Sequence, residues 1–238
     1  MIERMASKSR RPSGRKAISS VWAEWDYVQA NDWAGRNDWI GPEGEAVAED
    51  VKEAIALRAS DPEKSLQALL AFAERGSVWS MIQVAHSYKV GWGTPVDPLR
   101  EEDWYRRAFE AGSERALLDY GAILFSRGAL DLAEAVYEAG AGKGWAPAMC
   151  HLARLRLKRP ASREGHLAIY SLLESAREQG SPAALWFLAR YMARGYFGVH
   201  NIPKGVALAF KAGETMRELV DGETPIKRAW TSMRAGTA

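Results

Sequence analysis

The chain holds one cysteine, Cys150, among 238 residues. An internal disulfide is excluded, which suits a reducing compartment. No stretch reaches the roughly 18 consecutive apolar residues that a membrane helix needs. Ser9-Arg10-Arg11 is followed by the polar Pro12-Ser13-Gly14-Arg15-Lys16. No apolar core of an export signal follows it, so residence in the cytoplasm is expected.

Chemistry-bearing motifs are equally scarce. His86, His151, His166 and His200 stand in four separate contexts, and none forms a His-x-x-x-His or Glu-x-x-His pair. Cys150 and His151 are adjacent, a poor arrangement for one metal on a helix, so no metal is expected. Gly140-Ala141-Gly142-Lys143-Gly144 lacks the spacing and the hydroxyl residue of a phosphate loop, and reads as a helix end with glycine terminators. The acidic runs Glu49-Asp50 and Glu101-Glu102-Asp103 point neighbouring carboxylates to different helix faces, which forbids an acid–base dyad. No constellation passes a role-by-role check for catalysis. Neither an enzyme nor a cofactor is expected.

What the chain does have is apolar mass, 47% hydrophobic against 26% charged residues. Its net charge of +2 is unevenly placed. Residues 1–18 carry Arg4, Lys8, Arg10, Arg11, Arg15 and Lys16 against Glu3, a polar tail without periodicity. The remainder is mildly acidic, unlike a nucleic-acid binder with a basic face.

The chain also repeats. Gly76, Gly112, Gly144 and Gly180 are 36, 32 and 36 residues apart. Four residues after each stand Ser80, Ala116, Ala148 and Ala184. Eight and nine residues after stand Val84-Ala85, Tyr120-Gly121, Leu152-Ala153 and Leu188-Ala189. Twelve after stand Tyr88, Leu124, Arg156 and Met192. Counted back from the following glycine, Trp104-Tyr105, Val136-Tyr137 and Leu172-Leu173 share one offset. Apolar steps of three and four on both sides of a polar break make each unit two helices. Asp61-Pro62, Asp97-Pro98 and Ser181-Pro182 mark helix starts, each a capping side chain before a proline. Gly91-Trp92-Gly93-Thr94-Pro95 breaks unit one, and Gly128-Ala129 does so more briefly in unit two.

This pattern resembles the Sel-one-like repeat, a relative of the tetratricopeptide repeat. Unit one carries the resemblance best, from Gly91, Gly93, Val96 and Asp97 through Trp104, Tyr105, Ala108 and Glu110 to Gly112. Unit four departs most, with Leu208-Ala209 in place of the aromatic pair. The resemblance implies an all-α, right-handed solenoid of four to five helix-turn-helix repeats over residues 44–220, and a scaffold or adaptor role. Residues 19–43 hold Trp22, Trp25, Trp33 and Trp39 and are expected to cap the first repeat, with docking to a partner as the other reading. Residues 221–238 are expected to form a short polar tail.

If first helices line the inner curve, as the resemblance implies, the positions three, seven, ten and fourteen after each glycine face a partner. They are Trp79, Gln83, His86 and Val90; Arg115, Asp119, Ala122 and Ser126; Pro147, His151, Arg154 and Lys158; and Ala183, Phe187, Arg190 and Arg194. Arg154, Lys158, Arg190 and Arg194 form a cationic stripe beside His151. A stripe of this kind fits an acidic peptide or protein segment in the groove. The other reading places binding in the basic tail, toward nucleic acid or an anionic membrane. Residues 1–20 hold no aromatic side chain to stack on bases, which disfavours nucleic acid.

Overall fold

A computed structural model of the chain describes residues 44–159 and 162–221. The basic tail, the tryptophan-rich segment and residues 222–238 lie outside the described residues. Ten α-helices follow in order: α1 Gly44–Ala56, α2 Pro62–Glu74, α3 Val78–Val90, α4 Pro98–Glu110, α5 Glu114–Ser126, α6 Leu130–Gly142, α7 Ala146–Arg156, α8 Arg163–Glu178, α9 Pro182–Ala193 and α10 Ile202–Asp221. No strand occurs among the described residues. The architecture is an all-α solenoid in which each helix packs mainly on its predecessor and its successor.

The connectors explain the repeat of glycines. Gly76, Gly112, Gly144 and Gly180 take φ of 104°, 94°, 79° and 86°. That left-handed conformation is strained for any residue with a Cβ, which is why glycine recurs there. The amide after each glycine donates back to a carbonyl of the helix just ended: Ser77 to Phe72, Ser113 to Ala108, Trp145 to Gly140 and Ser181 to Ala176. Three of these residues immediately start the next helix. The hydroxyls of Ser77, Ser113 and Ser181 accept from the amides of Ser80, Ala116 and Ala184. A Gly-Ser pair thus ends one helix and begins the next in two residues, and all three serines are buried.

Ser113→Ala removes the acceptor for the Ala116 amide, 2.8 Å from Ser113 Oγ, inside the stack. Loss of such a cap costs about 1 kcal/mol, to be read as a lower urea midpoint at unchanged slope. An unaltered midpoint would show that the hydroxyl does not hold this junction.

Small residues let the helices approach. Ala116, Ala148 and Ala184, at one register position, are fully buried. Gly140 lies inside α6, where an added Cβ would come 2.6 Å from Ala148 Cβ. Its task is close packing, whereas Gly144 supplies the terminator. The expected inward positions hold apart from the partly exposed Tyr120 and Arg156. Arg156 reaches Glu134 at 2.7 Å and also meets Glu138, tying α7 to α6.

The curvature follows from which helices touch. First helices of successive units pack directly, α5 on α7 and α7 on α9. No second helix, among α4, α6, α8 and α10, makes a comparable contact with another. The first helices therefore lie on the inner side of the curve.

Candidate binding surface

Positions ten and fourteen after each glycine lie on the side of the first helix away from its core positions, at about 100° per residue. In units three and four they are Arg154, Lys158, Arg190 and Arg194. Lys158, Arg190 and Arg194 are exposed and Arg154 is half-buried. Arg154 and Lys158 lie over one ring, that of Phe125 on α5, at 5.3 and 4.1 Å from its centre. This cation–π seat holds both side chains on the inner wall without neutralising them.

Tyr191 stands between Arg190 and Arg194 in the last turn of α9. Burial pushes its hydroxyl above the ordinary tyrosine range, while Arg190, Arg154 and Arg194, in that order, pull the other way. All three guanidinium groups therefore act on one phenol, from two consecutive units. Among the described residues, none of Arg154, Lys158, Arg190 and Arg194 has a carboxylate within salt-bridge distance. Arginines on the second helices and in the seams behave differently. Arg106 meets Asp103 and Glu110, Arg177 meets Glu174, and Arg159 meets Asp131. Arg107 forks onto both oxygens of Glu74 at 3.1 and 2.8 Å, with its guanidinium 3.9 Å from the centre of the Trp104 ring.

The other sequence candidates divide. Phe187 is 7% exposed and packs in the cluster of Met149, Cys150 and Ala153, so it is withdrawn as a contact residue. Position seven lies only about 60° from position four on the helical wheel, and the direct packing of α7 on α9 covers it. The same seam buries Pro147 and Ala183. His151 is half-buried, its ring stacked on Tyr137 at 5.2 Å. Trp79 packs partly buried against the core of units one and two. Asp119 pairs with Arg115 at 3.1 Å. Gln83 accepts from Arg58 at 3.2 Å, and the Arg58 guanidinium sits 4.3 Å from the centre of the Trp92 ring, which His86 meets edge-on. The unit-one candidates thus form a wall stabilised by its own contacts, apart from the cationic end.

His86 carries a pH signature. Burial first, then Arg58 and Lys89, lower its pKa from the ordinary 6.5, with Asp119 opposing. The unfolded chain binds a proton near 6.5 that the folded chain refuses until lower pH. Stability from this site is complete above 6.5 and lost as pH falls through the folded value. His86→Gln should flatten the dependence of Tm on pH just below 6.5, and an unchanged slope there would contradict the account.

Sequence reasoning missed Tyr191, Tyr196 and the α9–α10 connector. Tyr196 meets Tyr191 edge-on at 5.5 Å and His166 at 5.9 Å. The offsets counted along first helices skip Tyr191 on α9 and do not reach Tyr196 in the connector, although each tyrosine stands within two residues of an arginine of the stripe. Among the described residues, no three His, Cys, Asp or Glu side chains converge on a metal position. No helix among them is long and apolar enough to cross a membrane.

Stacked antiparallel helix pairs of 32 to 36 residues, with first helices inside, define the Sel1-like repeat fold. Solved structures agree. A Sel1 repeat protein from Oxalobacter formigenes superposes with a TM-score of 0.55 at 19% identity, over 88% of this chain and 91% of its own. The protective antigen c5321 of uropathogenic Escherichia coli, described as displaying an SLR fold, gives a TM-score of 0.54 at 20% identity. That match covers 81% of this chain and 49% of c5321, about half of its length. The sequence matches no family model and no curated protein.

Proposed function

We propose that the chain is a protein-interaction scaffold whose inner wall captures an acidic peptide or protein segment. The observation that carries this reading is the set of four cations at Arg154, Lys158, Arg190 and Arg194. Among the described residues they lack carboxylate partners, while Arg106, Arg107, Arg156 and Arg177 each meet one. The Arg154 guanidinium, already seated over the Phe125 ring, loses little freedom when a carboxylate arrives, so its forked donors are ready for bidentate contact. A repeat fold supplies the rest, a curved wall long enough for an extended segment. No catalytic step, metal or cofactor is part of this proposal, and residence in the cytoplasm is its setting.

The rival site is the basic segment 1–18, with six cations against one acid. Deleting residues 1–18 separates the two. The scaffold reading expects partner capture to persist, with modest salt dependence from four inner-wall cations. Loss of capture on deletion, together with a steep dependence on salt, would place binding in the tail.

A further inference from the structure

A cavity of about 700 Å³ opens where α8 begins and the α9–α10 connector turns back over it. That size lies within the range of specific binding pockets, roughly 300–1,000 Å³. Its walls are rings. Tyr170 meets Phe197 at 71°, and His166 meets Tyr196 at 89°. The connector is built to shape it. Gly198 has φ of 96°, and a Cβ there would lie 2.7 Å from the His200 ring. The Asn201 side-chain amide donates to the Phe197 carbonyl at 2.7 Å, fixing the turn. Arg163, Leu167, Val199 and His200 also line it, and among the described residues the lining holds no carboxylate.

The equivalent seam between α4 and α5 shows that this charge is particular to its place. A cavity there is lined by Glu101, Glu102 and Asp119 with Lys89 and Arg127. Its cations are satisfied internally, Lys89 by Glu101 at 3.5 Å and Arg127 by Glu102 at 2.5 Å. At the α8–α9 seam, Arg163 has no salt bridge among the described residues. Tyr196 is a wall of that cavity and touches Tyr191, which follows Arg190 directly on α9 and stands three residues, one helical turn, before Arg194. Cavity and cationic stripe are therefore contiguous.

We infer that this cavity receives an aromatic side chain of the same acidic segment whose carboxylates rest on Arg190 and Arg194, an inference that rests on the scaffold reading above. An inserted ring continues the edge-to-face arrangement of the walls. Arg163 meets a flanking carboxylate through a charge-assisted hydrogen bond. An acidic lining would repel such a segment, and a basic segment would meet unpaired like charge.

The test is calorimetric titration of the full chain with three peptides, each acetylated and amidated: Glu-Glu-Phe-Glu-Glu, Glu-Glu-Ala-Glu-Glu and Lys-Lys-Phe-Lys-Lys. The phenylalanine peptide is expected to bind about tenfold tighter than the alanine one, from burial of its ring, and the lysine peptide not to bind. Val199→Glu places a carboxylate at the cavity lip, where Val199 is 78% exposed and its loss does not threaten the fold. That variant should erase the preference for phenylalanine while still binding the alanine peptide. Arg190→Glu with Arg194→Glu should weaken both acidic peptides alike. Equal binding of the two acidic peptides by the unaltered chain, with both lost in the double variant, would overturn the cavity and leave the scaffold reading standing. A phenylalanine preference that survives Val199→Glu would also overturn it. Acidic peptides that bind the double variant undiminished, or fail to bind the unaltered chain, would overturn both.

Discussion

Gly205→Ala is expected to lower Tm by roughly 6–12 °C, the equivalent of about 3 kcal/mol in a chain of this size. Gly205 sits on α10 where it crosses α9 at backbone contact. A Cβ built there lies 2.3 Å from the Ala193 amide nitrogen, 2.6 Å from Met192 Cβ and 2.7 Å from the Met192 carbonyl carbon. Two of these atoms are main chain and cannot swing away as a flexible side-chain tip would. The helices must therefore part. Parting them loosens Met192 and Leu188, both fully buried. Helix propensity works in the opposite direction, since alanine favours a helix interior by about 1 kcal/mol over glycine. A rise in Tm would mean that this propensity wins and that the crossing is looser than described. Thermal unfolding followed by circular dichroism decides between the signs.

Leu188→Ala is expected to cost about 2–5 kcal/mol, and to do so locally. Leu188 is fully buried on α9 and belongs with Ile169, Leu173 and Ala176 of α8 and Met192 of its own helix. Removing its three outer carbons leaves a void that close-packed neighbours fill only in part. A globular core would spread the loss over the whole domain. In a stack whose units contact only their neighbours, the destabilisation stays near the affected interface. Hydrogen exchange should rise in α8, α9 and α10 and remain unchanged in α2, α3 and α4. Equal acceleration throughout would show that the stack unfolds as one cooperative body, contrary to the repeat picture.

Much of the architecture could be read from residue types because its junctions use residues with few alternatives. A left-handed terminator demands glycine, so Gly76, Gly112, Gly144 and Gly180 announce the period directly. Proline after an acceptor side chain marks α2, α4 and α9 as plainly. Ser181 is legible as a cap because a proline follows it, whereas Ser77 and Ser113 have no such flag and serine is common in surface turns. Gly140 and Gly205 illustrate the opposite case. Each is glycine because of a neighbour distant in sequence, and no local pattern distinguishes a close-approach glycine from a helix end.

The candidate surface was legible only as far as helical geometry reaches. Offsets from a glycine picked out Arg154, Lys158, Arg190 and Arg194, which stand half-buried or exposed on first helices or at their ends. They misplaced Phe187, because an angle on one helix does not record which neighbouring helix covers it. The tyrosine pair was invisible for the same reason. Tyr191 and Tyr196 meet only because the α9–α10 connector folds back, and residue offsets along a helix do not describe a connector.

The proposed binding depends on location: we propose that cations on the inner wall bind and that cations on the outer helices do not. Arg154→Glu with Arg190→Glu reverses charge inside, and Arg106→Glu with Arg177→Glu does so outside, where each arginine serves exposed ion pairs worth little to stability. Both double variants should keep the helical circular dichroism of the unaltered chain. Quantitative crosslinking of each to proteins of native lysate is the direct measurement. The inner pair is expected to lose its captured protein and the outer pair to retain it. Equal capture by both, or loss confined to the outer pair, would contradict this proposal.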